Sequence, residues 1–292
     1  MLIDFNLNLS DEARRERLFA GHIVIDPATP AMTALVDHAR GIIRETFGEL
    51  DPERAQTTMP VEEYVEKIGP MKSRFTNDAR TKVLVREVLT EAGCDLKSTY
   101  FDVPRLRVAT FDQYLTAGVG YAYKAHRDSW YASPDCQVNW WVPVFDLEAD
   151  RSLAFYPKYW NRPIANSSAD FDYDEWCAVG RPGAIKQIKT DTRKHPLPLE
   201  PLSIEDEFRP SCPAGTLVAF AGSHLHASVP NTTQRTRFSF DFRTVNAEDL
   251  LNGVGAPYTD NRSTGTTLGD FLRAHDLSPI GNELVTRVRR AA

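Results

Sequence analysis

Arg237-Phe238-Ser239-Phe240-Asp241-Phe242-Arg243 is the run whose reading decides the fold. Phenylalanine holds every even position and a polar residue every odd one. Strict alternation of this kind is the period of a β-strand. Successive side chains on a strand point to opposite faces. Three aromatics therefore back a face carrying Arg237, Ser239, Asp241 and Arg243. Such a face suits a strand that lines a wet cavity better than one sealed into a core.

Upstream, Pro213-Ala214-Gly215 makes a turn, Thr216 to Ala221 reads as a buried strand, and Gly222 breaks it. His224 and His226 follow, before a Pro230-Asn231 turn. Further back lies Tyr123-Lys124-Ala125-His126-Arg127-Asp128-Ser129-Trp130. In strand-like alternation His126 and Asp128 share one face and Arg127 points away. An imidazole and a carboxylate so placed can hold adjacent corners of a metal ion. Two histidines and one carboxylate, with positions left open, suit a non-haem Fe(II) oxygenase. His-x-Asp alone recurs by chance; the histidine of the second stretch gives it weight.

Taken together, His126-x-Asp128, His226-Ala-Ser-Val-Pro-Asn231 and Arg237-x-Ser239 resemble the Fe(II)/2-oxoglutarate-dependent dioxygenase superfamily, with the flavour of its phytanoyl-CoA dioxygenase-like branch. The resemblance covers roughly residues 100–245. It implies a mainly β fold, a double-stranded β-helix (a jelly-roll or cupin-like barrel) with flanking α-helices that are mostly N-terminal. It implies Fe(II) on His126, Asp128 and His226, and O2 and 2-oxoglutarate as co-substrates. The distal carboxylate of 2-oxoglutarate would sit on Arg237, eleven residues after His226, with Ser239 adding a hydroxyl. Arg235 competes with Arg237, and His224 with His226; Ser228, Pro230 and Asn231 follow His226 in the family's register. If the polar face of the strand near 137–146 looks into the barrel, Gln137 or Asn139 touches the cosubstrate. If Trp140 looks inward instead, that face is core. Trp130, Tyr131 and Trp160 are candidate substrate-facing aromatics. Arg243 is a candidate for a substrate carboxylate or phosphate, the alternative being an ion pair with Asp241 or Asp112. One departure stands out: relatives often carry Pro-Gly-Ser-His where this chain reads Tyr156-Pro157-Lys158-Tyr159-Trp160.

The implied activity is hydroxylation of a C–H bond of a small metabolite, an amino acid derivative or natural-product intermediate, with release of succinate and CO2. Desaturation or cyclisation can follow from the same centre. Halogenating relatives replace the carboxylate by a small residue, whereas Asp128 is retained here. Two other readings are a non-oxidative metal-binding isomerase of cupin type and an iron-free binding module on the same fold.

Composition sets the frame. The 292 residues are 42% hydrophobic and 25% charged, enough for one large domain. Net charge is −6, which gives no electrostatic capture of nucleic acid or anionic membrane and leaves a small molecule as the expected partner. No apolar run approaches a membrane span and no signal peptide opens the chain. Cys94, Cys136, Cys177 and Cys212 form no Cys-x-x-Cys and read as the reduced thiols of a cytoplasmic protein. His126-Arg127-Asp128 also opens the kinase catalytic-loop motif, but Ser133 stands where that motif needs Asn. Gly118-x-Gly120 lacks the third glycine of a dinucleotide turn, and no Gly-x-Ser-x-Gly elbow occurs.

Along the chain, residues 1–98 read as a helical flanking layer. Helices are expected at 10–20, from Pro30 to Gly48, from Pro60 to Ile68, and from a Thr76 or Asn77 cap to Gly93, with a strand near 21–26. The β-barrel core is expected over 99–245, with strands at 99–110, 119–130, 137–146, 151–157, 202–209 and 216–221. A long polar and aromatic segment, 158–200, reads as a lid-like insertion. Residues 246–292 read as a helical extension, with helices at 268–275 and 282–290.

Overall fold

The computed structural model describes residues 2–6, 8–257 and 260–291, with no account of the side chains of 287–291. The strands among them are β1 (Ile3–Phe5), β2 (Ile23–Asp26), β3 (Thr99–Asp102), β4 (Arg105–Ala109), β5 (Val138–Pro143), β6 (Leu153–Phe155), β7 (Leu217–Ala221), β8 (His226–Ser228), β9 (Arg237–Asn246) and β10 (Phe271–Arg273). The helices are α1 (Asp11–Phe19), α2 (Pro30–Phe47), α3 (Val61–Asn77), α4 (Ala79–Glu91), a single turn α5 (Tyr173–Glu175), α6 (Ala247–Asn252) and α7 (Asn282–Ala291). Eight strands form one mixed sheet in the order β1-β2-β7-β5-β9-β3-β10, with β4 also paired to β9. β6 and β8 form a small second sheet.

The alternation of β9 organises both sides of the large sheet. Phe238, Phe240 and Phe242 are fully buried against the helical layer. Phe47 of α2 meets Phe238 edge-on, Phe75 of α3 lies 5.6 Å from Phe240, and Trp140 of β5 stacks on Phe242. Burying each such ring contributes roughly 1.5–3 kcal/mol. Helix α2 matches this face because Leu35, Val36, Ala39, Ile42, Ile43 and Phe47 recur at helical spacing. The Thr29 side chain caps its first turn by accepting from the Met32 amide. On the opposite face of β9, Arg237, Asp241 and Arg243 look into a cavity. β5 and the residue before it repeat the pattern: Gln137, Asn139 and Trp141 line that cavity, while Val138, Trp140 and Val142 join the helical core.

Several elements differ from their expected form. Helix α3 runs on through Gly69-Pro70 to Asn77, since Met71 and Phe75 extend its buried stripe; tertiary packing outweighs the hydrogen bond that Pro70 forfeits. Asp78, rather than Thr76 or Asn77, caps α4. Residues 119–130 form no continuous strand. The chain there makes a single bridge, His126 to His226, and then turns tightly over Asp128–Tyr131. In 202–209 only Phe208 pairs, with Phe155. Residues 268–275 form a turn and then β10, antiparallel to β3, in place of a helix. A run that short cannot settle its own period, and the open side of β3 captures it. The first 98 residues are not only helical: β1 and β2 extend the large sheet. No helix of the described residues is long and apolar enough to cross a membrane. The four cysteines are free thiols.

Candidate active site

His126, Asp128 and His226 converge. One ligand atom from each lies within 4.8 Å of the other two. The backbone enforces this meeting. His126 and His226 exchange both amide hydrogen bonds at 2.9 and 3.0 Å, so their rings emerge side by side, 4.4 Å apart. The Asp128 amide then donates to the Gly222 carbonyl at 2.9 Å, fixing the turn that swings its carboxylate back toward them. A Cβ at Gly222 would lie 3.3 Å from Gln137 Nε2 and 3.5 Å from Asp128 Cβ, so the turn is closely packed there.

The two imidazoles are oriented alike. His126 Nδ1 lies 2.7 Å from the Lys124 carbonyl and His226 Nδ1 lies 3.0 Å from the His224 carbonyl. A carbonyl only accepts, so each Nδ1 carries the proton and each Nε2 presents its lone pair. Burial, with the His126 ring beside it, brings His226 down to about 4 and keeps it neutral. Asp128 is tied from the other side. Gln137 Nε2 donates to its Oδ2 at 3.1 Å, and Arg243 Nε lies 3.6 Å from the same oxygen. Its Oδ1 faces His126 Nε2 at 3.5 Å. Burial alone would raise this carboxyl, but the charge of Arg243 beside it helps outweigh that and hold it well below the ordinary range. An anionic carboxylate and two imidazole Nε2 atoms brought to one point are the donor set of a facial triad for Fe(II).

Arg237 lines the same cavity and is buried. Its guanidinium donates to the Ser152 carbonyl at 3.0 Å and to Ser228 Oγ at 3.0 Å, and sits 5.7 Å from the Trp141 ring. No carboxylate of the described residues pairs with it within 4.0 Å; the salt bridges of the site go to Arg107, Arg243 and their neighbours. Burial, reinforced by Arg107, pulls Arg237 down to about 10. Arg237 Nε, Ser239 Oγ and Asn139 Nδ2 are buried and have no hydrogen-bond partner. A buried fork without a counter-ion and two orphaned polar groups on neighbouring strands fit a small dicarboxylate such as 2-oxoglutarate. Arg235 is instead exposed and sits 3.5 Å from Glu53.

The other sequence candidates divide. Tyr131 lines the cavity, its ring 5.5 Å from His126 and its hydroxyl 3.1 Å from His195 Nδ1. Trp130 does not: it packs in a core with Tyr159, Ile164 and Leu225, and its indole donates to Asp260. Trp160 does not either, because its ring lies tilted 4.3 Å from that of His224 and packs on Ala221 and Ala256. Arg243 reaches the cavity wall but is spent on carboxylates, with Asp102 at 2.9 Å and Asp128 and Asp241 beyond it. It steadies Asp128 rather than standing free for substrate. His224 is buried away from the ligand cluster, where burial lowers it to about 3. Arg127 does point away, onto the carbonyls of Ser223, Tyr159 and Arg162 and onto Asp260.

Sequence reasoning missed the outer wall. Tyr173, Trp176, Arg181, Arg193 and His195, all from the insertion, line the cavity together with Lys72, Arg107 and Tyr123. The insertion docks through the Ile188 carbonyl onto the Thr116 and Ala117 amides, and through Tyr173 and Arg181 onto Asp270. Gly118 lets it lie close: a Cβ there would fall 2.1 Å from the Gln187 carbonyl oxygen. The aromatic density of 158–200 was its only sequence signal.

No family profile and no curated protein matches the chain. Among solved structures it is similar to ThoJ, a non-heme monooxygenase (13% identity, TM-score 0.44, covering 81% of this chain and 78% of that one). It is also similar to EvdO2 from Micromonospora carbonacea var. aurantiaca complexed with 2-oxoglutarate (13%, 0.46, 82% and 91%). A third is the epimerase SnoN in complex with Fe3+, alpha ketoglutarate and nogalamycin RO (16%, 0.40, 88% and 97%).

Proposed function

We propose that this protein is a non-haem Fe(II)- and 2-oxoglutarate-dependent oxygenase of a small molecule, built on a double-stranded β-helix. The observation that carries the reading is the pairing, within one cavity, of a His126-Asp128-His226 donor set with Arg237, a buried guanidinium that lacks a carboxylate partner among the described residues. A cupin-type isomerase has use for the first and none for the second. An iron-free binding module has no use for two imidazoles, each held through Nδ1, that converge with a carboxylate on one point.

In this reading His126, Asp128 and His226 hold iron. Arg237 receives the distal carboxylate of 2-oxoglutarate, and Ser239 and Asn139 complete its hydrogen bonds. Iron, 2-oxoglutarate and O2 together supply the oxidation of an unactivated C–H bond, with succinate and CO2 as by-products. The chain's part is placement and exclusion of water. Gln137 and Arg243 keep Asp128 Oδ2 occupied so that Oδ1 faces the metal. Phe220, 4.9 Å from the His226 ring, keeps that side of the centre apolar. Tyr131 and Trp176 position the substrate, and residues 158–200 act as its lid. Because Asp128 keeps its place, the product carries a hydroxyl, or an alkene or new ring, and never halogen.

The test is succinate formation from 2-oxoglutarate with Fe(II), ascorbate and O2. Succinate that depends on Fe(II) and disappears in His226→Ala supports the reading. Purified, iron-loaded protein that binds no 2-oxoglutarate and forms no succinate refutes it.

A further inference from the structure

Seven cationic side chains line the cavity, against two carboxylates, Asp128 and Asp241. Most of the cations are committed. Arg107 is bidentate on Asp241 at 2.5 and 3.0 Å. Arg243 and Arg105 hold Asp102 at 2.9 and 2.6 Å, Arg181 holds Asp270 at 2.6 Å, and Arg193 holds Asp191. Two remain. Arg237 is accounted for by the cosubstrate. The other is Lys72 of α3, whose ammonium donates to the Val119 carbonyl at 2.5 Å and has no carboxylate of the described residues within ion-pair distance.

Lys72 has company of a particular kind. Tyr123, whose hydroxyl accepts from Arg107 at 3.0 Å, and Arg193 share its cavity. Tyr123, Tyr131, Arg193 and His195 also line an adjoining cavity of about 600 Å³ and so form the wall between the two spaces. That wall is aromatic: Tyr121 and Tyr123 lie 4.7 Å apart, and Trp176 and His195 4.9 Å.

We propose that Lys72, with the Tyr123 hydroxyl, forms a second anion subsite that receives a carboxylate of a substrate with a planar aromatic body. The identification of this ligand as substrate rests on the oxygenase reading; the subsite itself rests on the uncommitted cation and the aromatic wall. The ring system lies along Tyr123, Tyr131 and Trp176, and the acid reaches Lys72. Burial brings Lys72 down to about 8 despite the neighbouring Tyr123, with Arg107 and Arg193 adding to the fall. An incoming carboxylate reverses that pressure and makes a charge-assisted hydrogen bond in a poorly hydrated place.

The experiment uses the Mn(II)-loaded chain saturated with 2-oxoglutarate and titrates two probes, naphthalene-2-carboxylate and naphthalene-2-carboxamide. The carboxylate is expected to bind at least about tenfold more tightly than the amide, the margin of an ionic over a neutral hydrogen bond. Lys72→Gln should abolish that preference without moving 2-oxoglutarate affinity, and Lys72→Arg should retain it. Equal binding of the two probes, no binding of the acid at millimolar concentration, or a preference that survives Lys72→Gln each overturns the proposal. A preference seen only when 2-oxoglutarate is absent also overturns it, because the acid then occupies Arg237. Failure of 2-oxoglutarate to bind the Mn(II)-loaded protein strikes the oxygenase reading instead; the probes are then titrated against an Arg237→Ala background, where an acid preference lost on Lys72→Gln supports the subsite and one that survives it overturns it.

Discussion

Arg237→Ala separates the two parts of the proposed site. In the unliganded protein the side chain donates to the Ser152 carbonyl and to Ser228 Oγ but neutralises no carboxylate. Its removal leaves those acceptors short of a donor, at about 1 kcal/mol each, and also relieves a buried charge. The two effects oppose, so the unliganded variant should unfold close to wild type. With 2-oxoglutarate the outcome differs. Loss of one partner from a desolvated charge pair costs about 2–5 kcal/mol, which is a factor of about 30 or more in affinity. At 2-oxoglutarate about 100 times its wild-type Kd, ligand binding stabilises by about 2.7 kcal/mol, and in the variant by less than about 1. At roughly 2–4 °C per kcal/mol, the wild-type gain is about 5–10 °C and most of it should vanish. The assay is thermal unfolding with Mn(II) in place of iron, with and without 2-oxoglutarate. Mn(II) affinity should be unchanged, since the three metal ligands are intact. A variant that keeps the full 2-oxoglutarate shift would refute the assignment of Arg237.

Gln137→Leu removes the donor to Asp128 Oδ2 and should weaken Mn(II) binding about 10–100-fold, read by metal titration; unchanged affinity would show that Arg243 alone holds the carboxylate. Burial would raise Asp191, but hydrogen bonds from Arg193 win and hold it at about 2, below the unfolded value of about 3.9. Its stabilising share is therefore present above about pH 4 and lost as pH falls toward 2, so Asp191→Asn should cost more stability at pH 5.5 than at pH 2.5, as measured by urea unfolding. Amide exchange over residues 173–195 should slow when Mn(II), 2-oxoglutarate and a bound probe fill the cavity; exchange that stays the same would make the insertion a passive loop.

The site was legible where its signal is local. The alternation of 237–243 states both faces of β9 without reference to anything else, and His-x-Asp and the spacing from His226 to Arg237 need only counting. What could not be read depends on distant partners. Nothing around Arg243 announces Asp102, which lies 141 residues away and turns an apparent substrate cation into a support for Asp128. Trp130 and Trp160 look like pocket aromatics from their neighbours in sequence, yet each is buried by segments brought in from elsewhere in the chain. Lys72 belongs to a helix whose pattern is otherwise an outer packing layer, and only the fold places its ammonium beside Val119. The 119–130 strand failed for a related reason. His126 and Asp128 meet the metal point through a bridge followed by a turn, which a period-two pattern resembles but does not describe.

The central claim is that one metal on His126, Asp128 and His226 and one 2-oxoglutarate on Arg237 share a single cavity. An anaerobic titration of the protein with Fe(II) and 2-oxoglutarate, followed by visible absorption, tests it most directly. The account predicts a metal-to-ligand charge-transfer band that appears only when both are present, saturates at equal amounts of iron and chain, and is absent in His226→Ala. No band in the wild type, or the same band in His226→Ala, would contradict it.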